Sequence, residues 1–228
     1  MDKTINTKMI LYLILLSSLV LSSGYPGASF QYDINSRNVS LGGTTVSSKH
    51  IGFNAFSNPA SLAQINKLEI GFSNFIMSLD RTILAASIER VLPGTAGAGI
   101  SIVRVGVSDI KGYDSDGNPE EIFSVSETML LLSFGKSINK NFNFGFNIKY
   151  FNNNLYFENS SSIGFDLGFK FIKELPNYFN MIGNQISLGL KIENLSNQYL
   201  WQTKDGLYTR EYCQEFPINF KLGASIKS

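Results

Sequence analysis

Cysteine and histidine are almost missing from this sequence, with one of each among 228 residues. Cys213 has no second cysteine to pair with, so no intrachain disulfide framework exists. It reads as a small loop or wall residue. A lone His and a lone Cys leave little for a metal site. His50 is the only base open to a Ser-His hydrolase. It stands beside Ser47 and Ser48 with no acidic partner nearby in sequence, so no catalytic residue is assigned and no enzyme is expected. Gly-rich phosphate loops are missing too, and no cofactor is expected. The formal net charge is +1, which denies the basic face that nucleic acid would require. The stretch YDSDGNPEE (Tyr113 to Glu121) carries Asp114, Asp116 and Asn118 in calcium-loop alternation. Counted from Asp114, the twelfth position is Val125 rather than a carboxylate, so an external turn is expected instead.

Long apolar runs are also missing, except at the start. Lys3 and Lys8 precede an apolar run of 13 residues, Met9 to Leu21, and Ser22, Ser23 and Gly24 follow as small residues. That run is too short to cross a hydrocarbon core and reads as a secretory signal peptide over residues 1–24. Any membrane residence of the mature chain must then come from strands.

What is abundant is Phe (18), Tyr (10) and Gly (20). Residues 25–67 show no sustained alternation. From Leu68 the pattern changes to period two. In Phe142 to Phe151, Phe142, Phe144, Phe146, Ile148 and Tyr150 share one face, and Asn143, Gly145, Asn147 and Lys149 the other. Ser162 to Phe171, Ile186 to Glu193 and Phe216 to Lys227 repeat it. Leu68 to Phe75, Ile83 to Arg90, Ala98 to Val107 and Thr128 to Phe134 read as four further strands, making eight. An apolar phase slip between Ile102 and Val103 predicts a bulge there. Ser108 to Glu127, Asn152 to Ser161 and Asn194 to Glu215 read as long polar connectors. Pro93 to Gly97 and Lys136 to Asn141 read as short turns, and Ile172 to Gln185 as a longish link where a short one was due.

A soluble sandwich alternates as well. Here, however, the polar face is mostly Gly, Asn and Ser, while Phe, Leu and Ile fill the apolar face at nearly every position. This favours an all-β, antiparallel transmembrane outer-membrane β-barrel, with lipid as its outer partner, over a secreted sandwich or adhesin. Gly on an inner wall suits close approach by another element, such as a plug. Eight strands enclose almost no lumen, and the roughly 40 residues before Leu68 would not fit inside one. The last strand also lacks a terminal aromatic. The expectation is that further strands complete a larger barrel after Ser228.

The order of features resembles the PorV/PorQ family, within the FadL-like outer-membrane barrels. A signal peptide is followed by SRNVSLGGT (Ser36 to Thr44), then FSNPASLA (Phe56 to Ala63), then strands. The matching positions are Arg37, Leu41, Gly42, Gly43, Asn58, Pro59, Ala60, Leu62 and Ala63. Family members often have Gly where Ser61 stands and acidic residues where Lys49 and His50 stand. The resemblance covers roughly residues 30–228 and implies a barrel of about fourteen strands with an N-terminal hatch in the lumen. It implies an accessory role in type IX secretion, with exported cargo proteins or secretion-system components as partners. The alternative is a FadL-like channel passing hydrophobic small molecules. The candidate hatch motif is Leu41, Gly42, Gly43, Asn58, Pro59 and Ala60. Pro59 fixes its own φ and pushes Asn58 to an extended conformation, which makes a hatch corner or an ordinary turn. Lys149, Asp166, Lys170, Lys191, Glu193 and Lys221 fall on polar faces of neighbouring strands. They are candidates for a lumen ion-pair network anchoring the hatch, or for isolated solvated charges.

Overall fold

The computed structural model describes residues 24–156, 158–175, 184–205 and 208–227. The proposed signal peptide therefore lies outside the described residues except for Gly24. Ten strands follow in order: β1 (Glu69–Ile76), β2 (Arg81–Leu92), β3 (Ala96–Tyr113), β4 (Pro119–Ser137), β5 (Phe142–Leu155), β6 (Glu158–Glu174), β7 (Gln185–Leu195), β8 (Gln198–Asp205), β9 (Tyr208–Glu215) and β10 (Asn219–Lys227). Eight of them form one antiparallel sheet in the order β1-β2-β3-β4-β5-β6-β7-β10, curled into a half-barrel. β8 and β9 pair only with each other. β1 and β10 are the two edges of the large sheet and do not pair with one another.

Alternation decides which way each strand faces, and it runs opposite to a water-soluble protein. Phe72 and Leu222 point outward and are 72% and 80% exposed, while Asn147 and Asp166 point inward and are 0% and 1% exposed. The inward polar residues are buried because the N-terminal residues 25–67 lie in the concavity. The short turn Pro59–Gln64 rests across the inner faces of β3 to β6.

The concave side has two zones. Towards the β2–β3 and β4–β5 turns it is lined by Gly, Ser and charged residues. Towards the opposite end it is apolar: Ile83, Ala85, Val103, Met129, Leu131 and Phe151 pack with Phe30, Ile34 and Phe53 of the N-terminal segment. Tyr199, Trp201 and Phe216 complete that core. This inner core accounts for the phase slip at Ile102 and Val103. Ile102 faces out, Val103 faces in, and both are apolar. No bulge exists there: Ala86↔Ile102 and Ala85↔Val103 pair in continuous register. The register shifts of β3 against β4 lie at Val107/Ile110 and Lys111/Tyr113 instead, beside Asp109 in a left-handed conformation.

The expected long connectors are also corrected. β3 and β4 run on to Tyr113 and Pro119, leaving only residues 114–118 as a turn. Asp114 Oδ1 accepts from the Asp116 and Asn118 amides at 2.9 and 2.7 Å and closes that turn. β5 and β6 extend to Leu155 and Glu158. Asn194 to Glu215 is mostly the β8–β9 hairpin, and the last strand begins at Asn219, not Phe216. Polar side chains in these stretches masked strands that alternate over only part of their length.

Candidate functional site: the seat of the N-terminal segment

Local rules shape the N-terminal segment first. Asn35 caps a short helix, Ser36–Ser40, by accepting from the Arg37 amide at 2.9 Å. The helix stops in a Schellman arrangement: Gly42 N–H donates to Val39 O at 3.1 Å and Gly43 N–H to Asn38 O at 2.9 Å. Gly42 takes φ 64°, which a glycine adopts freely. Leu41, Gly42 and Gly43 are thus an exposed helix terminator, away from the wall.

Asn58, Pro59 and Ala60 are buried against the wall. Asn58 is extended (φ −162°), as a residue before Pro must be, and its Oδ1 accepts from the Ala60 amide at 3.0 Å. Its Nδ2 lies 2.9 Å from Val46 O, 3.2 Å from Phe169 O and 3.4 Å from Leu190 O. One side chain therefore ties two stretches of the segment to β6 and β7.

The wall makes room with glycine. Gly97, Gly135, Gly145 and Gly168 stand opposite one another across β3 to β6. A Cβ on Gly97 would overlap Leu62 O; on Gly135 or Gly145, the Pro59 carbonyl group; on Gly168, the Asn58 side chain. Gly189 is under Val46 in the same way. Only hydrogen fits between these backbones.

Charge holds the segment at two places. The first is a chain of ion pairs on β5, β6, β7 and β10. Lys149 Nζ is 2.5 Å from Asp166 Oδ1, and Lys191 Nζ is 3.5 Å from Asp166 Oδ2 and 2.7 Å from Glu193 Oε1. Lys221 Nζ is 2.9 Å from Glu193 Oε2. Lys191 also donates to Phe56 O at 2.5 Å and Asn147 Nδ2 to Ala55 O at 3.0 Å, so the network grips the segment's backbone. Five of the six charges singled out in the sequence are in this chain. Lys170 is not; it is buried and donates to Ser61 Oγ at 3.4 Å. Removing one partner of such a buried pair leaves an uncompensated charge, at a cost of about 3–5 kcal/mol.

The second place escaped the sequence reading. Glu69 and Glu89 face each other across β1 and β2, both buried. Asn54 Nδ2 donates to both, at 3.0 and 2.7 Å. Glu69 Oε2 also accepts from the Gly52 amide at 3.0 Å, and Glu89 Oε1 from the Ala55 amide at 2.9 Å. A carboxylate on each inward face, level with a Ser or Gly run, was the available signal. Between them Phe53 takes φ 57°, a strained conformation for a bulky residue, with its ring over Gly71.

The β8–β9 hairpin adds a third clamp. Tyr199 OH donates to Glu127 Oε1 at 2.7 Å, and Ser29 Oγ donates to Glu127 Oε2. Ser160 Oγ donates to Leu200 O at 2.8 Å, which seats β8 on the inner face of β6 near its first residues.

His50 is buried with Nε2 3.0 Å from Ser48 Oγ; its Nδ1 meets no hydrogen-bond partner among the described residues. Burial is the main cause that holds its imidazole below the ordinary histidine range. Arg37 and Lys170 push the same way, and the Thr45 carbonyl opposes them. With no carboxylate orienting the ring, the pair has the geometry of a structural contact. The arrangement as a whole is a non-covalent latch.

The chain matches no family model and no curated protein.

Proposed function

We propose that the chain is an outer-membrane β-barrel protein of PorV/PorQ type, exported through its N-terminal signal peptide. In this reading residues 25–67 are a hatch seated in the lumen, and the eight-stranded half-barrel is part of a wall of about fourteen strands that closes over the β1 and β10 edges. Its role is accessory to protein export, holding exported cargo proteins or secretion-system components at the outer membrane. The observation that carries the reading is the apolar, exposed outward face of the sheet, set against a concave side that is filled by the N-terminal segment and is polar, charged and buried over one of its two zones. A lipid-facing wall around a plug needs that distribution; a soluble sandwich needs the reverse.

Two features favour an accessory role over transport. The segment is fixed by buried ion pairs, carboxylate-to-amide bonds and a glycine seat, which suits a permanent plug. β3 and β4 have 18 and 19 residues, whereas about 9–11 tilted residues cross a bilayer. Their surplus forms a ridge beyond the membrane that a protein partner can dock on. One observation favours the FadL-like alternative. A groove of about 590 Å³ lies at the apolar end, lined by Tyr25, Tyr32, Met77, Ile83, Val105 and Leu155, and it suits a hydrophobic small molecule.

The test is deletion of the gene in its host, with two readouts. Loss of secretion of cargo bearing a C-terminal sorting domain, with fatty-acid uptake intact, supports the export role. Intact secretion with lost uptake sinks it in favour of the channel. Recovery outside the outer-membrane fraction, with no heat-modifiable migration, sinks both.

A further inference from the structure

We propose that the outward face of β2 to β4 holds one anionic glycerophospholipid, its phosphate between Arg90 and Lys136 and an acyl chain in the apolar groove beside them. The inference rests on the membrane reading above and adds a lipid class and a place.

The groove comes from side-chain size. Ala98 lies opposite Arg90 on one side and Phe134 on the other, and Ala96 lies opposite Leu92 and Lys136. The two alanines leave a depression flanked by longer residues. It opens into a groove of about 490 Å³ on the convex face, lined by Ala86, Ile88, Leu92, Ile100, Ile102 and Leu130. Arg90 stands at its mouth. Strand spacing and rise put the Arg90 and Lys136 backbones about 12 Å apart. Two long flexible cations at that separation can converge on one phosphate group.

Charge then selects the occupant. Both residues are exposed, and neither forms an ion pair among the described residues. Lys173, on the outward face of β6 at the same end, adds a third cation of this kind. The outward-facing positions of the strands at this end carry no carboxylate among the described residues. An apolar strand or helix of a partner protein laid over the groove would bury two unpaired cations, which is costly. A zwitterionic phospholipid brings the same phosphate together with an ammonium group, which the two cations repel. An anionic lipid satisfies the cations with its headgroup and the groove with its chain, while the Arg and Lys stems lie along apolar surface. The site is at the end away from the extended β3–β4 strands and the β8–β9 hairpin. Elaborated ends face the outside in barrels of this class, so the source is the inner, phospholipid leaflet.

The experiment uses the purified full-length protein in detergent, mixed with equal amounts of phosphatidylglycerol and phosphatidylcholine and read by native mass spectrometry. Wild type should retain phosphatidylglycerol preferentially. R90Q/K136Q should lose about 25-fold of that preference, roughly fivefold for each charge removed. K173Q should keep most of it. Equal retention of the two lipids by wild type overturns the proposal without needing any variant. So does an unchanged preference in R90Q/K136Q that still shows heat-modifiable migration. Wild type that fails to insert into vesicles at all overturns the membrane reading, whereas insertion without preference overturns only this site.

Discussion

At Gly145 the difference between a hydrogen and a methyl group decides whether the N-terminal segment can seat. A Cβ there would stand 2.5 Å from the Ala60 amide nitrogen, with the Pro59 carbonyl carbon closer still. Both neighbours are backbone and cannot rotate away. Gly145→Ala should therefore destabilise by about 1–3 kcal/mol, the usual cost of overpacking, although Ala otherwise favours a strand over Gly. The measurement is thermal unfolding in detergent, together with protease sensitivity of residues 45–65. An unchanged profile would mean that the backbones are less close than the structure places them. His50 gives a second test at this scale. Its folded pKa lies below the unfolded 6.5, so the unfolded state takes up the proton first as pH falls. The stability contribution is present above 6.5 and is lost as pH drops through the folded value. The charged groups acting on the ring are Arg37 and Lys170, which oppose protonation, and Asp33, which favours it. Protection of the amides of residues 45–58, taken relative to the free-peptide exchange rate at each pH, should be high at neutral pH and fall as pH drops below 6.5, and His50→Gln should flatten that dependence.

The β8–β9 hairpin shows what an element contributes beyond its residues. It connects β7 to β10, which pair directly with each other, and folds back into the concavity, where Tyr199 reaches Glu127 of β4. Tyr199→Phe keeps the ring and removes one donor from the half-buried Glu127 carboxylate, a change worth about 1 kcal/mol. Trp201 is the only tryptophan, sits 7% exposed in the same core, and so reports whether the hairpin is docked. Its emission should shift to the red and become accessible to a soluble quencher in the variant. Blue emission as in wild type would show that aromatic packing alone holds the hairpin. The strands of the large sheet were legible from alternation because their two faces meet different surroundings along most of their length. The hairpin was not legible: its sequence, QYLWQTKD and YTREYCQE, alternates against a packed core on one side only, between polar turns. The seat was half legible. Inward Gly and charge announced themselves by position, whereas Glu69, Glu89 and Asn54 acquire meaning only when the segment folds back over β1 and β2.

For the whole molecule, orientation follows from which end carries the surplus of strand. Lys140, in the β4–β5 turn, and Cys213, in β9, belong to opposite ends of the sheet: Phe142 and Phe171 pair near the first, and Leu195 leads to the second. Both are exposed. In the proposed outer-membrane setting the extended end, with the β3–β4 ridge and the hairpin, faces the outside, and the opposite end faces the periplasm. Cys213 is the sole cysteine, so it serves as a native probe. A maleimide that cannot cross membranes should label it in intact cells. On a Cys213→Ser background, Lys140→Cys should stay unlabelled until the outer membrane is permeabilised. The reverse pattern would invert the orientation and move the Arg90–Lys136 lipid site to the outer leaflet. Equal labelling of both positions in intact cells would mean that the sheet separates no compartments, and the apolar outward face would then need a protein partner in place of lipid.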